Sequence, residues 1–287
     1  MAICKNCGKT LILRGGKCFY CEQNPYEVSV SSKSNQNPYT NYMGQNYIYG
    51  ASNDPYGNPL GSQYDFGKDG AFYGYKIVTM ETSIGVSHIK PYLFPLKQKG
   101  FDIIEISCYN YEKLKEEVPN NKSQLWLFLD TQIGLIANIL ALIYEYYIKG
   151  HGIFIYTAAR YNRAANEILK DLFDTEMIGD YTGGKVLSVK SPNNTSGIVK
   201  NHPITTGIQQ LYEGGLITNI KLKNGLMPLS FSSNGEVLTA YYDKDGKKAV
   251  IHGSSLSYLG FHDYEKAGIN RFFVNIACWL AIQNNNL

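Results

Sequence analysis

No apolar run in the 287-residue chain reaches the roughly 18 residues that a membrane-spanning helix needs. The nearest approach, 125–148, is interrupted by Asp130, Gln132, Asn138 and Glu145. There is no G-x-y period and no sustained heptad, which excludes a collagen-like rod and a coiled coil. Charge is sparse, at 18% of residues, and an excess of one sign is missing from most of the chain. Lys5, Lys9, Arg14 and Lys17 against Glu22 give residues 1–22 a net +3. The whole chain is also +3, from 27 basic and 24 acidic residues, so the remainder is balanced at 23 against 23. A generally nucleic-acid-binding surface is thereby excluded, and attraction to phosphate is confined to the first 22 residues. The opening Met-Ala-Ile-Cys-Lys-Asn-Cys has no apolar stretch of the kind a secretory signal carries, so a cytoplasmic location is expected.

Several catalytic and cofactor motifs are missing too. No G-x-G-x-x-G follows a strand-like run, and there is no G-x-x-x-x-G-K-[ST] and no G-x-S-x-G elbow. His88, His151 and His262 are isolated and form no H-x-H or H-E-x-x-H metal pattern.

What is present divides into three regions: 1–22, rich in cysteine; 23–71, dominated by Asn, Tyr, Gly, Ser, Gln and Pro; and 72–287, with ordinary globular periodicity. The middle region has almost no aliphatic residues and cannot bury enough surface to offset its ordering entropy, so a flexible, disordered linker is expected there.

In the first region Cys4, Cys7, Cys18 and Cys21 stand in a C-x2-C-x10-C-x2-C pattern. Each Cys-x-x-Cys turn can deliver two thiolates to one ion, and four thiolates satisfy the tetrahedral preference of Zn2+. No βαβ pattern surrounds either pair, as a thioredoxin-type redox site would require. Gly15-Gly16 supplies the reversal between the two knuckles. Twenty residues hold no adequate core, so structural zinc would supply the folding energy. The segment resembles a zinc ribbon. Leu11, Ile12, Leu13, Phe19 and Tyr20 offer an apolar face to a protein partner, and the four basic residues offer phosphate contacts.

In the third region strand-like and helical runs alternate. Strands are expected at Tyr75–Met80, Phe101–Ser107, Leu125–Leu129 and Gly152–Tyr156. Helices are expected over 86–98 (interrupted by Pro91), 111–117, 134–149 and Arg160–Phe173. This spacing implies a mostly parallel sheet flanked by helices on both faces, an α/β fold. After 183 the pattern changes to strand-like runs at Lys185–Lys190, 218–223, 228–232, 236–242 and 247–252. Asn224-Gly225, Asn234-Gly235 and Asp245-Gly246 read as hairpin turns between them, and 263–282 reads as a closing helix.

Four stretches carry a family resemblance: Leu125–Asp130, Gly150–Tyr156, the Asn201-His-Pro-Ile-Thr-Thr-Gly207 segment, and Asn270–Asn275 followed by Trp279-Leu280. In this order residues 72–287 resemble the class I glutamine amidotransferase-like superfamily. They are most similar to its non-catalytic branch, found among uncharacterised ABC-transporter auxiliary and gliding-motility-type proteins. The resemblance implies a nucleophilic cysteine on the turn after the strand ending at Tyr156. The chain reads Tyr156-Thr-Ala-Ala-Arg160 there, with no cysteine. Cys108 and Cys278 lie elsewhere and read as buried thiols. The resemblance also places a histidine after a late strand, where His252 stands at a comparable point.

Carboxylates and polar groups at strand ends line the crevice of an open α/β sheet. Glu81, Asp130, Thr157, Arg160, His252 and Ser254 are therefore the candidate ligand-crevice residues, with Arg160 also able to pair with Asp130. No catalytic set is assigned. The sequence points to a non-catalytic adaptor that binds a protein partner or small ligand. Two alternatives stand beside it: a hydrolase or amidotransferase-like enzyme with a displaced site at Thr157 and His252, and a nucleic-acid-binding accessory protein acting through the ribbon.

Overall fold

The computed structural model describes residues 13–14, 17–18, 70–82, 90–107, 110–118, 122–129, 134–157, 162–200, 202–254 and 268–281. The 23–69 part of the expected linker, Cys4, Cys7, Cys21, Cys108, Asp130, Arg160, His88 and His262 lie outside the described residues.

In the amino-terminal region β1 (Leu13–Arg14) pairs antiparallel with β2 (Lys17–Cys18), Leu13 opposite Cys18 and Arg14 opposite Lys17. The chain reverses between Arg14 and Lys17, and the register puts Cys18 at the open end of the hairpin.

The α/β unit begins with β3 (Lys76–Glu81), α1 (Leu93–Lys99), β4 (Asp102–Ser107), α2 (Tyr111–Glu117) and β5 (Ser123–Phe128). It continues with α3 (Ala137–Ile148), β6 (Ile153–Tyr156) and α4 (Arg163–Phe173). The later strands are β7 (Met177–Thr182), β8 (Val186–Ser188), β9 (Gly197–Ile198), β10 (Gln210–Tyr212), β11 (Leu216–Ile220), β12 (Met227–Phe231), β13 (Val237–Lys244) and β14 (Lys247–His252), and α5 (Ile269–Ala281) follows them. The main sheet has eight strands in the order β4-β3-β5-β6-β14-β13-β12-β9. Its first five strands are mutually parallel, and β13, β12 and β9 continue it antiparallel. Two small antiparallel ladders, β7 with β11 and β8 with β10, lie outside it.

Alternation along the strands builds two cores, one on each face. Ile77, Trp126, Phe128, Phe154, Tyr156 and Val250 pack with α1 and α5. Val78, Leu125, Leu127, Ile153, Ile155 and Ile251 pack with α2, α3 and α4. Successive side chains of a strand point to opposite faces, which divides these continuous apolar runs between the two cores. The α5 face is aromatic at its centre: Trp126, Phe154 and Phe273 lie with ring centroids 5.1–5.8 Å apart. Truncating Trp126 to alanine should cost about 3–5 kcal/mol by the behaviour of large buried aromatics.

Several local expectations are corrected. The helix expected over 86–98 begins only at Leu93, after a 3₁₀ turn at Lys90–Tyr92 that contains Pro91, and 83–89 lie outside the described residues. Gly100 ends α1 at φ 102°, where a Cβ would come within 2.7 Å of the Tyr73 nitrogen. Asn234-Gly235 and Asp245-Gly246 do connect paired strands, β12 with β13 and β13 with β14. Asn224-Gly225 turns the chain (φ 47° and 87°), but its flanking strands are not partners: β11 pairs β7, and β12 pairs β13 and β9. A turn motif fixes local backbone, whereas long-range packing chooses the partner. The short β9 and β10, and the exposed, glycine-containing β7, carry no apolar run to announce them.

Candidate functional site

The carboxyl ends of the parallel strands collect the described candidates on one edge of the sheet. Glu81 closes β3, opposite Ser107 of β4 and Phe128 of β5. Thr157 follows β6 directly, and His252 closes β14 opposite Tyr156. Ser254 lies two residues further on. Glu81, Thr157, His252 and Ser254 are all buried. The order β4-β3-β5-β6-β14 reverses direction between β3 and β5, which makes the edge beside Glu81 the topological switch point of the sheet. Glu81 and Thr157 are two strands apart, about 10 Å by ordinary strand spacing.

Thr157 and His252 are neighbours in the ladder, yet their side chains diverge. The Thr157 backbone N–H donates to the His252 carbonyl at 3.2 Å. The Thr157 hydroxyl donates to the Leu129 carbonyl at 2.5 Å, toward β5. Alternation along β6 puts Thr157 on the face of Ile153 and Ile155, the α3/α4 side. The His252 ring lies on the other face, 5.9 Å from the Tyr156 ring and 5.5 Å from Phe272 of α5. A nucleophile and its base need hydrogen-bond reach of each other. These two side chains point to opposite sides of the sheet, so the displaced Thr157–His252 site does not form.

The proton inventory of His252 leads the same way. Its Nδ1 lies 2.8 Å from the Thr239 hydroxyl, which lies 2.7 Å from the Ser230 hydroxyl. Nδ1 is committed to the Thr239 hydroxyl in either tautomer. Nε2 is buried without a hydrogen-bond partner. Burial depresses the His252 pKa to about 3, so the ring is neutral at physiological pH.

Ser254 is also used internally: its hydroxyl donates to the Glu213 carbonyl at 2.7 Å. Glu213, which the sequence reading passed over, is fully buried and pins three segments. Its carboxylate accepts from the Lys185 N–H at 3.0 Å and from the N–H and hydroxyl of Ser233 at 2.7 and 2.8 Å. A polar residue beside a glycine pair gave no periodic signal by which to find it.

Two of the segments that carry the family resemblance bind each other. The His202 Nδ1 accepts the Ile204 N–H at 3.1 Å and caps the 3₁₀ turn at Pro203–Thr205. Asn275 of α5, fully buried, donates through its amide to the carbonyls of Ile204 and Thr206 at 3.0 and 2.9 Å. His202 is held well down, at about 3, first by burial and then by the Lys248 charge. Lys248 lies with its ammonium 4.8 Å from the Trp279 ring centre, and burial lowers it to about 8 despite the opposing pull of Asp243. This cluster ties α5 to the sheet. Cys278, on the same helix, is a buried thiol as expected.

Among the described residues no group of His, Cys, Asp and Glu is placed to hold a metal, and no helix is long and apolar enough to cross a membrane. No protein-family model matches the chain, and no curated protein matches it. Solved structures do. Cytoplasmic protein STM1381 from Salmonella typhimurium LT2 is similar at TM-score 0.52 and 15% identity, over 71% of this chain and 99% of that one. Cytoplasmic protein STM3548 from Salmonella typhimurium is similar at TM-score 0.51 and 14% identity, over 71% and 98%. At that identity the likeness is one of fold: a mixed, mostly parallel sheet flanked by helices, spanning nearly the whole of both relatives.

Proposed function

We propose that the protein is a non-catalytic, zinc-binding adaptor of the cytoplasm. On this reading an amino-terminal ribbon recruits a protein partner, and an amidotransferase-like α/β unit serves as a binding scaffold for a second protein or a small ligand. The observation that carries the non-catalytic part is the divergence of Thr157 and His252, with the Thr157, His252 and Ser254 side chains each bonded within the fold. The placement in the cytoplasm draws on the two Salmonella proteins of similar fold, both described as cytoplasmic.

Cys4, Cys7, Cys18 and Cys21 would hold the zinc. The β1–β2 hairpin supports the fit, since it reverses the chain between the two Cys-x-x-Cys pairs and ends at Cys18. Bound zinc would cross-link the two knuckles and supply the folding energy that so short a segment lacks.

The test is a pull-down from native lysate with the intact chain and with Cys4→Ser/Cys7→Ser, measuring zinc in both. Zinc at one per intact chain, with a partner kept only by the zinc-loaded form, supports the adaptor. Retention of all partners without zinc removes the ribbon's recruiting role. One further observation favours a second reading. Arg14 and Lys17 face each other across the hairpin, so two of the four basic residues share a face. If that face meets nucleic acid, affinity should fall steeply with salt and be lost when the basic residues are neutralised.

A further inference from the structure

The chain holds two Asn-Gly pairs, 224–225 and 234–235, and the fold gives them different surroundings. In such a pair the backbone nitrogen of the glycine can attack the asparagine side-chain amide, since glycine brings no Cβ to crowd the approach. At 234–235 the reacting groups are tied down. The Gly235 N–H donates to the Ser232 carbonyl at 2.9 Å. The Asn234 Oδ1 accepts the Glu236 N–H at 3.1 Å and the Ser232 hydroxyl. At 224–225 the attacking nitrogen is not held: among the described residues the Gly225 N–H has no acceptor. Asn224 is exposed, in the left-handed region at φ 47°, and Gly225 follows at φ 87°. The Asn224 side chain makes its hydrogen bond through the nitrogen that would leave: Nδ2 donates to the Phe173 carbonyl of α4 at 3.0 Å. Ammonium groups surround this turn. Lys244 Nζ lies 2.8 Å from the point a Gly225 Cβ would occupy, Lys223 pairs with Asp174 at 3.6 Å, and Lys221 pairs with Glu176. Of the three, Lys244 has no ion-pair partner among the described residues. The two carboxylates of its hairpin act elsewhere, Asp243 on Lys248 and Asp245 on Tyr147 and Tyr242.

We propose that Asn224-Gly225 is a self-modification site, at which the folded chain converts Asn224 to aspartate or isoaspartate while Asn234 is protected. Base removes the Gly225 N–H proton, the same event that amide exchange reports and that a hydrogen bond suppresses. The nitrogen attacks the Asn224 side-chain carbonyl carbon, the bond from that carbon to Nδ2 breaks, and Nδ2 leaves as ammonia with the proton. Water then opens the cyclic imide at one carbonyl or the other, giving aspartate or isoaspartate. The Lys244 charge beside the reacting nitrogen favours its deprotonated form. The same ammonium receives the carboxylate that results. At 234–235 the Gly235 N–H bond and the two bonds on Oδ1 must open first, and each net hydrogen bond slows a step by about two- to tenfold. Conversion also has a structural consequence. It replaces the Nδ2 donor with an acceptor facing the Phe173 carbonyl, which releases the β11–β12 turn from the end of α4. The Asp174 and Thr175 amides, which close that end on the carbonyls of Lys170 and Leu169, are then the ones to loosen.

The experiment incubates the full chain at mildly alkaline pH, folded in one sample and unfolded in guanidinium chloride in another, and follows both over weeks. Peptide mapping by mass spectrometry reads the mass gain at each asparagine, and isoaspartyl methyltransferase labelling reads the isoaspartate. Dividing each folded-state rate by the same site's unfolded rate removes the effect of neighbouring sequence. The expected ratio at Asn224 exceeds that at Asn234 by about tenfold or more. The converted form, separable by its added negative charge, is expected to exchange faster than the parent at the Asp174 and Thr175 amides. Equal protection of the two sites, conversion mainly at Asn234, or none at Asn224 would overturn the proposal. A converted form whose Asp174 and Thr175 amides exchange as before would overturn its structural consequence. The proposal is independent of the adaptor reading, which depends on zinc and the ribbon.

Discussion

Lowering the pH from 7.5 to 5.0 should weaken the α/β unit through two buried imidazoles. His202 and His252 are neutral in the fold, with pKa values near 3, and each returns on unfolding to an ordinary value of about 6.5. Between those values the unfolded chain binds protons that the folded chain excludes, so stability rises with pH through this window and is lost as pH falls below about 6.5. At pH 5 the folded rings remain almost wholly neutral, so the unfolded value sets the loss. Each ring then contributes about 2 kcal/mol relative to pH 7.5, and the two together about 4 kcal/mol. His151, also lowered by burial, acts in the same direction. The surface carboxylates Glu145, Asp174 and Glu176, each lowered chiefly by a lysine hydrogen bond, act in the same direction and are common to wild type and the histidine variants. The assay is urea denaturation at pH 7.5 and 5.0 of wild type, His202→Asn and His252→Asn. Asparagine keeps an acceptor for the Ile204 N–H or the Thr239 hydroxyl but cannot ionise. Each variant should lose about 2 kcal/mol less than wild type across the pH step. Contributions from thiolate protonation in the ribbon cancel in that difference. Equal pH steps in wild type and both variants would refute the assignment of buried neutral imidazoles.

Other outcomes follow from the same contacts. Asn275→Ala should cost about 2–4 kcal/mol in urea denaturation, because it strands the carbonyls of Ile204 and Thr206. Lys248→Met should be neutral or stabilising, since it removes a desolvated charge. It should also flatten the rise in wild-type stability between about pH 8 and 10.4, where the unfolded lysine holds a proton that the folded one has released. Thr157→Val should cost about 1 kcal/mol for its hydrogen bond to Leu129, with partner binding unchanged in the pull-down.

Much of the fold was legible because its central strands are short continuous apolar runs, as strands covered on both faces are. Leu125–Leu129 read as one such buried strand, and the structure divides it between two cores, Leu125, Leu127 and Leu129 in one and Trp126 and Phe128 in the other. The 111–117 helix was also legible, and the structure starts it where Asn110 accepts the Lys113 N–H as a cap. Strand partners were not, because Asn224-Gly225 specifies a turn without saying that β11 leaves the main sheet. The edge that collects Glu81, Thr157, His252 and Ser254 was legible from the rule that strand ends line a crevice. Their divergence was not, since whether two neighbouring strand ends share a face depends on register. In β6 and β14, Thr157 and His252 fall out of phase by one residue. Asn275, Glu213 and Thr239 were missed for a related reason: a buried polar residue is defined by its partners, and those lie dozens of residues away for Asn275 and Glu213.

The central claim, a zinc-dependent adaptor whose strand-edge residues serve the fold, is tested most directly by one comparison. The partner retained from lysate by wild type is measured for Cys4→Ser/Cys7→Ser and for Thr157→Val/His252→Asn, with zinc content determined in each. The account predicts that the cysteine variant loses both zinc and partner, while the strand-edge variant keeps both. Loss of the partner from the strand-edge variant alone, with zinc intact, would contradict it.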